Sequence, residues 1–355
     1  MEIFCPDKYQ NSQPNFRLAT DSDKRIVTDL LGYYYNVPAD QITSVKQVGE
    51  AEINSNNFLV NTSSQQLIVK RLTAHRQCSL LPKLRLYLWL HKQGIPVPRV
   101  YKNSSQKFLT SLDDHYWCVL QFIDGHFFVG TNLETIEAAR VTERLFELLT
   151  NAPENCTPDD NPVEMLLNPT ECQTLVNLAE NRREEWATLF VNEIETVLSD
   201  GWPIVKQCLN ELTVNDLLAL SGFSLSHIDL HPHNLLLCNN LVAAVLDFES
   251  FRLAPRKIMV SFSAFKLLRQ AFMYGKSYNI KFAPKELLKT YLSGLSRSDF
   301  LDANAGLLAR MEILRRLFYI LKGNFCAENA NAKKWNMDIP MHMRALRETR
   351  LLFGE

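Results

Sequence analysis

Residues Ser226–Phe251 read SHIDLHPHNLLLCNNLVAAVLDFESF, and the rest of the chain is best read outward from them. Two short β-type runs, Leu235–Cys238 and Val242–Leu246, flank Asn239-Asn240. Such a pair suits the left-handed positions of a tight hairpin turn. Asp229 and Asn234 lie five residues apart ahead of the hairpin, and Asp247 lies behind it. Asp247 follows five apolar or small residues, so it ends a buried strand, where a carboxylate needs a partner. The hairpin lets Asn234 and Asp247, 13 apart in sequence, meet at one place.

A carboxylate on a loop, an amide oxygen and a second carboxylate form a set with chemical meaning. Phosphoryl transfer needs an acceptor hydroxyl to be oriented and its proton accepted, and it needs metal ions that neutralise nucleotide phosphates. Asp229 is the candidate base. Asn234 and Asp247 are the candidate ligands for Mg²⁺, which prefers hard oxygen donors. Taken singly, each has a plainer reading. A lone Asp is usually a turn or cap residue, an Asn in a tight loop often bonds only backbone, and Glu249 is as well suited to bracing the loop as to a metal shell.

Upstream, residues 1–20 read as a polar extension. A helix is predicted from Asp21, with Ile26, Leu30, Leu31 and Tyr34 on one face. Ser44–Gly49, Asn57–Val60 and Gln66–Leu72 read as strands of a small antiparallel sheet. Alternation puts Lys70 on the face of Ile68 and Leu72, an unusual place for a purely solvated lysine. Ser79–Gln93 carries Leu80, Leu84 and Leu88 at helical spacing; Gly94 ends that helix, and Pro96 and Pro98 prevent its resumption. Tyr116–Ile123 is a further strand, followed by an Asp124-Gly125 turn. The remainder reads as helical outside the opening stretch, with helices over Asn132–Thr150, Glu171–Ser199, Arg256–Tyr274, Pro284–Gly294, Asn304–Gly323 and Pro340–Phe353. The expected organisation is two lobes: 21–122 as a sheet-rich first lobe and 123–355 as a helical second lobe that carries 226–251.

At 355 residues, 46% hydrophobic and 22% charged with a net charge of −1, the composition is that of an ordinary globular protein. It lacks the basic excess of a nucleic-acid binder. No apolar run reaches the length of a membrane span, and the first 20 residues are too polar for a signal peptide. The eight cysteines form no Cys-x-x-Cys pair and read as reduced thiols of a cytoplasmic protein. Charge is uneven along the chain. Residues 151–222 hold 13 Asp and Glu against 3 Lys and Arg, while 251–350 hold 19 Lys and Arg against 7 Asp and Glu. One reading is helix faces whose charges compensate between segments. The other is an acidic wall for a cationic substrate.

His227-x-Asp229-Leu-His231-x-x-Asn234 followed by Asp247-Phe-Glu249 resembles the aminoglycoside phosphotransferase and choline kinase superfamily. The likeness runs over about residues 25–275. Val48–Val60 is similar to that family's nucleotide-covering hairpin, Lys70 in LIVKRL to its phosphate-binding lysine, and Val119–Gly125 to its strand and hinge. Gly94-Ile-Pro-Val-Pro98 resembles its segment after the first-lobe helix. The resemblance implies an α+β, protein-kinase-like fold and an ATP- or GTP-dependent kinase of a small hydroxyl-bearing molecule. It implies that the Glu50–Asn57 loop covers the phosphates, with Asn56 and Asn57 among the nucleotide contacts, and that the backbone near Gln121–Ile123 bonds the base. The acidic 151–222 segment would then favour an amine-bearing acceptor: an amino sugar, an amino alcohol, an aminoglycoside or a homoserine-like amino acid. Two departures stand out. Thr73–Gln93 contains no Asp or Glu to pair with Lys70, leaving Gln77 as a possible substitute, and Arg256–Phe265 replaces a common Asp-Leu-Ala helix start.

Rival readings are weaker. His227, His231 and His233 are clustered like zinc ligands, but the only later histidine is His342, and a barrel's strand–helix repeat is absent. Bracing of the loop is the plainer role for His227. Gly275-Lys-Ser imitates the end of a P-loop, but residue 270 is Gln. A kinase-fold module that binds nucleotide without turnover fits the missing helix acid; the intact Asp229, Asn234, Asp247 and Lys70 speak against it.

Overall fold

The computed structural model describes residues 13–48, 56–73, 77–158, 167–190, 199–212, 222–278, 283–325 and 335–354. The first lobe opens with strand β1 (Phe16–Leu18) and helix α1 (Asp21–Tyr35), then β2 (Ile42–Val48), β3 (Asn57–Thr62), β4 (Gln66–Thr73) and α2 (Gln77–Lys92). Strands β5 (Val100–Tyr101), β6 (Thr110–Leu112) and β7 (His115–Gln121) complete an antiparallel sheet in the order β1-β2-β3-β4-β7-β5, with β6 on β7. Phe16–Leu18, read from sequence as part of a polar extension, pairs with β2 as the edge strand.

Helix α1 covers one face of this sheet. Thr20 caps it by accepting the Asp23 amide, and Asn36 ends it in the left-handed conformation. Val27, Leu30 and Leu31 are fully buried against Val45, Phe58, Val60, Val69 and Trp117. Each such side chain contributes about 1.5–3 kcal/mol relative to an exposed position. Arg71 lies on this face too, near the rings of Phe58 and Trp117 and bonded to Asp23. Lys70 therefore points to the other face, where α2 packs. Gly94, with φ of +77°, terminates α2 as its sequence requires, and the Ile95 amide donates back to the Leu90 carbonyl.

The chain crosses into the second lobe through 122–125 and pairs β8 (His126–Phe127) with the later hairpin. A Cβ on Gly125 would lie 2.7 Å from the Leu237 carbonyl oxygen, so only glycine allows this approach. Then follow α3 (Asn132–Thr150), α4 (Pro169–Asn181), α5 (Arg183–Leu189) and α6 (Trp202–Glu211). The single helix expected over 171–199 breaks at Arg182, whose ψ of 34° is not helical. The break lets Trp186 donate its indole N–H to the Ala179 carbonyl and pack against Phe190 and Trp202.

Strands β9 (Phe223–His227), β10 (Leu235–Cys238), β11 (Leu241–Val245) and β12 (Phe251–Pro255) make two small sheets. The expected β10–β11 hairpin is present, with Asn239 and Asn240 both at positive φ. Helices α7 (Arg256–Ser277), α8 (Pro284–Ser293), α9 (Ala305–Phe325) and α10 (Ile339–Phe353) close the lobe, with α9 packed between α7 and α10. One hydrophobic cluster runs from α2 through the hairpin into these helices.

The uneven charges meet across segments. Glu171 pairs with Lys322, Asp200 with Arg347, and Glu211 with Arg310 and Arg350. These described carboxylates of 151–222 are thus matched by the basic C-terminal helices. Cys118, Cys156, Cys172 and Cys208 are buried and Cys238 is exposed, and none of these five is in a disulfide. No helix among the described residues is long and apolar enough to cross a membrane.

Candidate active site

Strand β9 delivers the chain to Asp229, and its last residue, His227, does the stitching. His227 is fully buried. Its Nδ1 accepts the Asp229 amide at 3.3 Å, so Nε2 carries the proton donated to the Leu246 carbonyl at 2.9 Å. Burial pushes this imidazole below its ordinary pKa and favours the neutral ring these bonds require. With both nitrogens occupied, His227 is not a metal ligand, and the bracing role expected of it holds.

Three further contacts bind the Asp229 loop to the Asp247 loop, and a fourth braces the Asp229 loop internally. Phe251 pairs with His227 in the β9–β12 register, and the Ile228 amide donates to the Ser250 carbonyl at 2.9 Å. The Leu246 amide donates to the Asn234 carbonyl at 2.8 Å. Asn234, at the end of the 3-10 turn Pro232–Asn234, uses its side-chain Nδ2 to donate to the Asp229 carbonyl at 2.8 Å. That bond uses the Asn234 N–H side and leaves Oδ1 as the atom able to accept or to ligate a metal.

Asp247 sits at φ 64°, ψ 67°, a left-handed conformation that costs a non-glycine residue about 1–2 kcal/mol. Two local bonds hold it there: Ser250 Oγ donates to Oδ2, and the Ser250 amide donates to the Asp247 carbonyl. Lys70 Nζ donates to Asp247 Oδ1 at 3.0 Å and to Glu249 Oε2 at 2.5 Å. Burial alone would raise the Asp247 pKa; Lys70 and Ser250 outweigh it and hold it down to about 2. Burial likewise opposes the Lys70 charge, and Asp247 and Glu249 together hold its pKa above the ordinary value.

At Asp229 the partner is one the sequence reading missed. Arg316 of α9 donates from Nη1 to Asp229 Oδ1 at 2.9 Å and from Nη2 to the Ile228 carbonyl at 2.7 Å. His231 Nε2 lies 3.6 Å from the other oxygen, Oδ2. Burial opposes ionisation of Asp229, but Arg316 outweighs it and holds the carboxyl well below the usual range.

The remaining expected site residues divide. Asn57 faces Lys70 across the β3–β4 pair. The Asn56 side chain lies elsewhere: its Oδ1 accepts from Arg71 Nε at 3.2 Å, on the α1 side of the sheet. Strand alternation separates it from Lys70. The rest of the phosphate-covering loop, 50–55, falls outside the described residues, as do the side chain of Gln77 and its expected part in holding Lys70. Gln121 ends β7 with its amide spent on the Arg99 carbonyl, and Ile123 follows in the crossing segment.

Lys83 and Arg316 carried a readable signal. Lys83 falls three residues after Leu80 and four before Tyr87, on the apolar stripe of α2; it is buried and donates to the Glu249 carbonyl at 3.0 Å. Arg316 falls three after Ile313 and four before Ile320, on the apolar stripe of α9. A cation on such a stripe needs a buried partner.

Asn234, Asp247 and Glu249 offer hard oxygen donors of the kind Mg²⁺ takes when phosphates and water complete its shell. Among the described residues no three His, Cys, Asp or Glu side chains form a self-sufficient metal site. The residues fit a metal brought in with a nucleotide.

A sheet-rich first lobe, a helical second lobe and carboxylates on stitched loops define a protein-kinase-like phosphotransferase. The chain belongs to the phosphotransferase enzyme family known as APH, whose profile matches residues 44–256. It is therefore a kinase that acts on an alcohol group. Solved structures agree on the fold. A spectinomycin phosphotransferase bound to ADP and spectinomycin is 14% identical, covering 92% of this chain and 97% of its own, with a TM-score of 0.58. A microcompartment-associated aminopropanol kinase is 15% identical, covering 93% and 99%, at 0.57. The choline kinase LicA from Streptococcus pneumoniae is 15% identical, covering 95% and 100%, at 0.52. No curated protein sequence matches significantly.

Proposed function

We propose that this chain is a cytoplasmic, ATP- or GTP-dependent kinase that phosphorylates a hydroxyl of a small, amine-bearing molecule. The observation that carries the reading is the convergence of Lys70, Asp247, Asn234 and Asp229 on one pair of loops. Asp229 orients the acceptor hydroxyl and takes its proton. Asn234 Oδ1 and Asp247 hold Mg²⁺, which neutralises charge on the nucleotide phosphates when bound. Lys70 orients the α- and β-phosphates, so nucleotide entry draws it away from Asp247. The base lies along the Gln121–Ile123 backbone, where the Gln121 carbonyl and the Ile123 amide are the groups suited to it. Asn57 is on the phosphate side of the sheet.

Glu171, Asp200 and Glu211 are engaged by C-terminal cations and do not form an open acidic wall. What favours the amine is the acceptor class of the similar proteins: spectinomycin, aminopropanol and choline each carry an amine or quaternary nitrogen. The test is a turnover screen with ATP and GTP against these three, further amino alcohols and amino sugars, and anionic hydroxy acids. Transfer to an amine-bearing acceptor is expected, and Asp229→Asn should slow it about 10²–10⁴-fold while sparing nucleotide binding. Preference for an anionic acceptor would overturn the acceptor class, and undiminished turnover by Asp229→Asn would overturn the base.

A further inference from the structure

The catalytic loop is held from behind by a helix that begins 76 residues after Asp229, at Ala305. The Arg316 guanidinium of that helix is fixed at every nitrogen. Nη1 meets Asp229 Oδ1 at 2.9 Å, Nη2 meets the Ile228 carbonyl at 2.7 Å, and Nε meets Glu312 Oε1 at 2.8 Å. Its plane lies against the Phe262 ring, 4.5 Å from the centroid. Glu312 is 1% exposed and is itself gripped by Arg315 through both oxygens at 2.7 Å. A guanidinium bound so fully is not free to bind substrate. It is a rigid fork whose one variable partner is the Asp229 carboxylate.

We propose that Arg316 is a positioning residue for phosphoryl transfer, holding Asp229 by Oδ1 so that Oδ2 alone is presented to the acceptor hydroxyl. The role rests on the reading of Asp229 as the base. In the step it serves, the acceptor oxygen forms a bond to the γ-phosphorus as the bond from that phosphorus to the β–γ bridging oxygen breaks. The hydroxyl proton passes to Oδ2, and the nucleoside diphosphate leaves with the bridging electrons. Arg316 exchanges no proton. It restricts the carboxylate to one orientation, and misplacement of about 1 Å at such a group costs about 10²-fold in rate. The Ile228 carbonyl bond fixes the backbone beside the base in the same grip.

The experiment compares full-length wild type with Arg316→Met, Arg316→Lys, Asp229→Asn and the double variant Asp229→Asn/Arg316→Met. Turnover is read with the best acceptor from the screen above and, independently, as Mg·ATP hydrolysis by water. Arg316→Met should lower kcat about 10²-fold with nucleotide KM changed less than about threefold. Arg316→Lys should recover part of that loss, since it restores charge without the fork. The double variant should be no slower than Asp229→Asn within about threefold, because Arg316 acts through the carboxylate. A merely structural role would slow the double variant by the full Arg316→Met factor beyond Asp229→Asn and would raise nucleotide KM; that result overturns the proposal. So does an Arg316→Met kcat near wild type while Asp229→Asn is slow, which leaves the base assignment standing. Full turnover by Asp229→Asn, or none by wild type with every acceptor and with water, removes the underlying reading instead.

Discussion

Lys70 Nζ lies 2.5 Å from Glu249 Oε2, and this contact answers the absence of any acid in Thr73–Gln93. The lysine is anchored by the turn that follows Asp247, and helix α2 reaches that same turn with a cation: Lys83 donates to the Glu249 carbonyl. Tyr87, one turn on, donates its hydroxyl to the Val245 carbonyl at 2.9 Å. Helix α2 therefore grips the backbone on both sides of Asp247, and the position of Lys70 is set by Glu249 together with Asp247.

Replacing Glu249 with Gln should weaken that setting while leaving the turn intact. A hydrogen bond to a charged group is worth about 1.5–3 kcal/mol, so kcat/KM for the nucleotide should fall about 10- to 100-fold. Nucleotide titration and steady-state kinetics read this directly. Wild-type values for both would mean that Asp247 alone suffices to anchor Lys70.

Asp247→Asn separates the charge of Asp247 from its conformation. Asn tolerates the left-handed backbone nearly as well as Asp, so the fold should survive. The charge that would bind Mg²⁺ is lost, and Mg-dependent turnover should drop by about 10³-fold or more, an estimate set by the several kcal/mol a metal contributes to the transition state. Circular dichroism with a Mg²⁺ titration of turnover checks both halves. Turnover near wild type at saturating Mg²⁺ would remove the metal assignment.

His231 provides a pH signature in stability. Burial lowers its folded pKa to about 4, partly opposed by Asp229, while the unfolded value is about 6.5. Between those values the unfolded chain binds a proton that the folded chain does not, so stability rises with pH through this window and is complete above it. Wild type should lose on the order of 2–3 kcal/mol more than His231→Asn between pH 7 and pH 4. Urea unfolding of the two across that range would expose an error as parallel curves.

Glu312 binds two guanidinium groups on α9 and is buried. Removing a buried partner leaves uncompensated charge, so Glu312→Ala should destabilise the protein by about 2–4 kcal/mol. Chemical denaturation measures this, and a loss below about 0.5 kcal/mol would show that the two arginines rehydrate freely.

Local chemistry made several elements legible in advance. Asn239-Asn240 specifies a turn with two positive φ values, and Gly94 with Pro96 ends α2. Alternation along β4 puts Lys70 and Arg71 on opposite faces, and the structure separates them so. Strand β12 gave little signal, since Phe-Arg-Leu-Ala-Pro neither alternates nor favours a strand, and its partner lies 24 residues earlier. The break at Arg182 was hidden because the apolar spacing of a helix continues through it; the Trp186 bond to Ala179 decides it.

The order and spacing of Asp229, Asn234, the hairpin and Asp247 are local properties, and the sequence by itself determined that they share a site. It also determined the two-lobed architecture, because periodicity changes from strand to helix along the chain. What the tertiary structure alone decided is which charges answer one another. Lys70 finds Glu249 across 179 residues of chain, and Arg316 finds Asp229 across 87. Periodicity puts each cation on an apolar face but does not name its partner, which is chosen by how helices and sheets pack and by the cost of leaving a buried charge alone.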